Sequence, residues 1–142
     1  MELVLILPRR IEEKLREEAE RTGASIEEVA LDALCRGMSE EVDPAEKTEL
    51  YARLSERYLK DAEGFLAKGD YAQVSEKLWG AASLMVKAVA ASRGVSISSH
   101  GELFSYVRRL GEETGNPAQE ALLRGWHIAP EFSRELVEWG RG

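Results

Sequence analysis

Side chains able to do chemistry are few in this chain. Its 142 residues include two histidines, His100 and His127, and one cysteine, Cys35. A single cysteine excludes an internal disulfide framework and any multi-cysteine metal site. Two histidines exclude most histidine-based metal sites, and no metal or cofactor is expected. Cys35 falls beside the apolar face of a helix and reads as a small core residue rather than a reactive thiol. His100 is more informative, because it follows Ser98 and Ser99 where a helix begins. Free backbone amides, two hydroxyls and a neutral imidazole at such a point can hold an anion or a phosphate. Arg93 closes the preceding helix and adds a cation suited to phosphoryl oxygens. A purely structural reading covers the same residues. The helix macrodipole favours a cation at the C-terminal position of Arg93 and disfavours a protonated His100 at a helix start. Trp79, Trp126 and Trp139 read as packing or interface residues rather than base-stacking platforms.

These residues sit in a soluble globular composition, 44% hydrophobic and 32% charged. No apolar run approaches the roughly 20 residues that span a bilayer. The first residues lack the basic start, apolar core and cleavage site of a signal peptide, so a cytoplasmic, membrane-free protein is expected. The net charge is −7. Residues 1–43 carry 6 Lys+Arg against 12 Asp+Glu, a net of −6; the remainder carries 13 against 14, a net of −1. The basic face usual for a nucleic-acid binder is not apparent in this balance. Glutamate occurs 22 times and aspartate 4 times, with one Asn and two Gln. Abundant Glu with few thermolabile amides is a heat-adapted pattern, although Glu is also a good helix former.

Helices must position the candidate residues. Glu2 to Leu7 is a short apolar run stopped by Pro8, and its composition predicts a strand. A lone strand in a helical chain needs a partner. The same strand from a second copy is the simplest one, which makes Leu3, Val4, Leu5, Ile6 and Leu7 the expected dimerisation residues. Ile11, Leu15 and Ala19 predict an amphipathic helix over 9–22, ended by Gly23. Ser25 and Glu28 form a capping box for a second helix, with Ile26, Val29, Ala30, Ala33 and Leu34 on one face and Gly37 at its end. Residues 38–43 read as a linker. Asp43-Pro44 with Glu46 starts a helix to about Lys68. Asp70 with Gln73 starts the next, with Tyr71, Val74, Leu78, Ala81, Ala82, Met85 and Val89 expected inward and Gly94 as a C-terminal cap. Ser99 with Glu102 opens a helix bearing Leu103, Phe104, Val107 and Leu110. Further starts are expected at Asn116-Pro117 and Pro130.

Residues 1–37 resemble a ribbon-helix-helix unit in Leu7-Pro8, Ile11, Leu15, Gly23-Ala24-Ser25, Glu27-Glu28 and Ala33-Leu34. The resemblance implies dimerisation through paired strands, and DNA reading by outward strand side chains. This sequence departs from the reading pattern. Neither strand face carries the Arg, Lys, Asn or Gln that bonds base edges. A dimerisation device that does not read DNA is the resulting expectation; a DNA-binding regulator is the alternative.

Residues 44–142 resemble the archaeal PaREP family of helical proteins, which in turn is similar to the HEPN superfamily of dimeric helical bundles. The stretch from Gly69-Asp70-Tyr71 through Leu78-Trp79-Gly80-Ala81-Ala82 to Lys87-Ala88 carries the likeness, with Ser99-His100-Gly101-Glu102-Leu103 and Trp126-His127 after it. The resemblance implies a mainly α protein: an up-and-down bundle preceded by a short strand and two helices. Some HEPN proteins are metal-independent ribonucleases using an Arg and a His; others are non-catalytic partners in toxin–antitoxin-like or nucleotidyltransferase systems. Arg93 and His100 have six residues between them, which fits the ribonuclease spacing, and His127 is a third candidate. The histidine would act as general acid or base and the arginine would stabilise phosphoryl charge. The pair departs from that pattern in lying early in the bundle, and Gly94 replaces the polar residue that often follows the arginine. The expectation is a non-catalytic homodimer that binds a nucleotide, an RNA or a protein; a ribonuclease is the alternative.

Overall fold

The computed structural model describes residues 2–114. They form five helices: α1 (Arg9–Thr22), α2 (Ile26–Met38), α3 (Pro44–Ala67), α4 (Tyr71–Ser92) and α5 (His100–Thr114). The starts expected at Asn116 and Pro130 lie outside the described residues, as do Trp126, His127 and Trp139. Residues 2–7 form neither helix nor strand in the single chain. A strand exists only through its ladder, and within this one chain the segment has none.

Local chemistry explains the helix starts. Ser25 Oγ accepts the Glu28 amide at 3.3 Å, and the Ser25 amide donates back to Glu28 Oε2 at 2.5 Å. Asp43 and Glu46 repeat this reciprocal box at 2.8 and 3.2 Å, ahead of Pro44 at the first helical position. Asp70 Oδ1 accepts the Gln73 amide at 3.3 Å. Each box satisfies amides that the first turn of a helix cannot pair internally. Gly23, with φ of 71°, ends α1. The expected stop of α2 at Gly37 is corrected: the helix runs through Gly37 to Met38 and ends at Ser39, with φ of 55°. Ser39 is the only non-glycine with positive φ among the described residues, and its amide donates to the Arg36 carbonyl.

The chain divides into two compact units. Of the described residues, the first comprises 2–42 and 98–100. Its α1 and α2 pack on each other, yet no residue of either helix is fully buried. Ile11, Leu15, Ala19, Ile26, Val29 and Ala30 are half-buried, whereas Leu34 is exposed.

Of the described residues, the second unit comprises 43–97 and 101–114. Its main contact is between α3 and α4, joined by the turn at Lys68-Gly69-Asp70, where Gly69 has φ of 74°. The two helices run antiparallel: Ser55 meets Ala81, Tyr58 meets Gly80, and Asp61 meets Lys77. Ser55 Oγ donates to the Ala81 carbonyl at 2.7 Å inside this seam. Leu54 and Ala62 of α3 are buried with Ala81, Leu84, Ala88, Ala90 and Ala91 of α4. Leu103 and Val107 of α5 form a small core with Trp79, Val86, Ile97 and Phe104.

The inward face expected for α4 requires correction. Ala81 is buried, but Tyr71, Leu78 and Met85 are 48%, 47% and 44% exposed. Buried in their place are Ser75, Ser83, Leu84, Lys87, Ala88 and Ala91. An alanine-rich helix is apolar around much of its circumference, so periodicity alone does not choose its buried side. Close approach chooses it here, because α3 packs where Gly80 and Ala81 present the least bulk.

Candidate functional site

Arg93 occupies the C-terminal cap of α4, and its amide donates to the Ala90 carbonyl at 3.0 Å. Its guanidinium reaches away from that turn to α5. Arg93 Nη1 donates to Glu113 Oε2 at 2.8 Å. The hydrogen bond that Arg93 donates to Glu113, then the negative charge of that carboxylate, then the nearby Tyr106 hydroxyl, raise the Arg93 pKa above its ordinary value. Both partners are 47% exposed, so the pair contributes little to stability. It does govern the chemistry of the arginine, since a guanidinium bonded to a carboxylate already has its charge matched. Tyr106 is 5% exposed, and its hydroxyl has no partner within hydrogen-bond distance among the described residues.

His100 opens α5 and is exposed. Its ring lies against Gly23 in the first unit, so close that a Cβ on Gly23 would collide with Nε2. Ser98 and Ser99 are also exposed, and each is engaged in an interaction of its own. Arg93 thus belongs to an ion pair with Glu113, while His100 covers a helix turn. His127 lies outside the described residues.

The expected dimerisation residues stand out by exposure. Leu3 is 70% exposed, Val4 85%, Leu5 52% and Ile6 98%, and Leu7 is exposed as well. Cys35 is a half-buried free thiol. Trp79 is half-buried and packs on Phe104, their ring centroids 6.3 Å apart. No group of three or more His, Cys, Asp or Glu among the described residues could hold a metal ion. No described helix is long and apolar enough to cross a membrane.

One concave feature escaped the sequence reading. A cleft of about 570 Å³ opens beside the α3–α4 turn, lined in part by Lys60, Phe65, Lys68, Asp70 and Lys77. Lys60 and Phe65 precede the Gly69-Asp70 break and Lys77 follows it. Three lysines around a helix-breaking Gly-Asp were the available signal. Only the folded hairpin sets them around one hollow.

Among known proteins, no curated protein and no solved structure matched the chain. One family model did, that of the archaeal PaREP1/PaREP8 family, over residues 50–130. That span takes in α4, α5 and most of α3, the elements that carry Arg93, His100 and the cleft. With more than half of its length inside this match, the chain belongs to the archaeal PaREP1/PaREP8 family.

Proposed function

We propose that the protein is a homodimeric, non-catalytic binding component of HEPN-like build, serving a toxin–antitoxin-like or nucleotidyltransferase-like system. One observation carries the dimer: the first unit does not close a core of its own. Neither α1 nor α2 buries a residue fully, and the apolar run Leu3–Leu7 is exposed on both of its alternating faces. A segment of about 40 residues rarely holds its fold without a partner or a cross-link. Pairing residues 2–7 with the same residues of a second copy would form a two-stranded ladder about a two-fold axis. One face of the ribbon would then be covered by the helices of both copies and the other would face outward, as in a ribbon-helix-helix unit.

The non-catalytic part of the reading rests on Arg93. Its bond to Glu113 offsets the charge that a phosphoryl transition state would need. An acidic first segment and a strand without base-reading side chains argue against DNA as the ligand.

Sedimentation equilibrium on the full chain tests the dimer, with Leu5→Glu and Ile6→Lys as interface variants. The wild type should sediment as a dimer and the variants as folded monomers. A wild type that stays monomeric at tens of micromolar would sink the proposal. Metal-free incubation with several RNAs tests the remainder. Cleavage that disappears in folded His100→Ala and Arg93→Ala variants would replace the binding reading with the ribonuclease one.

A further inference from the structure

The α3–α4 cleft has features that match a ligand class. Its volume of about 570 Å³ falls within the ~300–1,000 Å³ typical of small-molecule sites. The Phe65 ring is half-buried in its lining, an apolar flat surface inside an otherwise polar rim. Lys68 Nζ stands 5.9 Å from the centre of that ring.

Charges around the rim are unequal in their availability. Lys77 is committed, with its ammonium 3.8 Å from Asp61 Oδ2 and 4.5 Å from the centre of the Tyr58 ring. Asp70 caps the Gln73 amide and keeps its negative charge on the rim. Lys60 and Lys68 have no carboxylate partner among the described residues. The cleft therefore sets three lysines against two carboxylates, Asp61 and Asp70, a net of one positive charge beside one aromatic ring, in a chain whose net charge is −7. Gly64 adds room, since a Cβ there would meet nothing within 4 Å.

We infer that this cleft binds a mononucleotide, its base stacked on Phe65 and its phosphate held by Lys60 and Lys68. Stacking on an aromatic ring tolerates any base, and ammonium-to-phosphate hydrogen bonds are charge-assisted. The single ring fits one base, which would take the place of the Lys68 ammonium now lying over it and leave that ammonium, with Lys60, to the phosphate. The inference rests on the binding reading above and supplies its ligand class, but it does not depend on dimerisation.

Isothermal titration calorimetry on the full chain with adenosine monophosphate tests it, with inorganic phosphate and a short single-stranded RNA as comparison probes. Circular dichroism first establishes that each variant is folded. Adenosine monophosphate should bind one per chain. Lys68→Glu should weaken it by about 10–100-fold, the usual effect of losing a charged hydrogen bond. Phe65→Leu should weaken it by about fivefold or more through lost stacking. Gly64→Leu should reduce binding by filling the cleft. Three outcomes would overturn the inference: no binding up to millimolar nucleotide, affinity unchanged in all three variants, or inorganic phosphate binding as tightly as the nucleotide. RNA binding in place of the mononucleotide would overturn it too. Because sedimentation reads the dimer separately, a negative titration with an intact dimer sinks this inference alone.

Discussion

Replacing Gly80 by alanine sets two effects of comparable size against each other, and the structure says which one prevails. In the interior of a helix, Gly→Ala is usually stabilising by about 1 kcal/mol, because glycine loses more backbone freedom on folding. At Gly80, however, an added Cβ would stand 2.6 Å from Cδ2 and 2.7 Å from Cε2 of Tyr58. Carbon atoms prefer about 3.5–4.0 Å, so the ring would have to withdraw by roughly 1 Å. It has little freedom to do so. Tyr58 is half-buried in the seam and lies under the Lys77 ammonium, itself paired with Asp61. Separating the helices instead would stretch the 2.7 Å bond from Ser55 to the neighbouring Ala81 carbonyl. Overpacking of this kind costs about 1–3 kcal/mol. Set against the helix gain, the expected net loss is about 1 kcal/mol, or roughly 4 °C in Tm for a chain of this size.

Gly64 supplies the control. It lies in α3, where a Cβ would meet nothing, so Gly64→Ala should keep the full gain and raise Tm by roughly 4 °C. Urea unfolding and thermal melts followed by circular dichroism measure both variants. A third measurement isolates the cause. In a Tyr58→Ala background the obstacle is gone, and Gly80→Ala should become stabilising. If Gly80→Ala stabilises the wild type as much as Gly64→Ala does, then α4 does not approach Tyr58 as described, and the account of the buried face of α4 fails with it.

Other perturbations address other parts of the molecule. Leu84→Ala removes one of the most buried side chains, 2% exposed, and should cost about 2–5 kcal/mol in urea unfolding; a loss under 1 kcal/mol would mean that this core is not closed. Ser25→Ala breaks the capping box of α2 and should cost about 1 kcal/mol, seen as faster hydrogen exchange at the first amides of that helix. Gly23→Ala meets two obstacles, a φ of 71° and the His100 ring. The left-handed backbone alone should cost about 1–2 kcal/mol, and a His100→Ala background should recover only the part of the loss due to the ring; recovery of all of it would contradict the backbone assignment.

Where helices begin was legible in the order of residues, because caps act over three or four positions. Ser25 with Glu28, Asp43-Pro44 with Glu46, and Asp70 with Gln73 each announce a start that the folded chain adopts. The end of α2 was less legible. Gly37 looked like a stop, but in a helix interior it is merely tolerated, and Ser39 takes the left-handed position instead. The candidate site was legible only in its parts. Arg93 and His100 were conspicuous as residue types, yet nothing local pairs Arg93 with Glu113, 20 positions away.

Tertiary contact decided what neighbouring residues could not. An alanine-rich α4 has several faces apolar enough to bury, and the fit of Tyr58 against Gly80 selects one of them. That choice leaves Tyr71, Leu78 and Met85 exposed. The antiparallel return of α4 along α3 likewise gathers Lys60, Phe65 and Lys68 with Lys77 around one cleft. Capping is a contest between a side chain and the backbone of its own turn, and a few residues contain all of it. Burial and the pairing of distant charges are contests among whole surfaces, settled only when the helices meet.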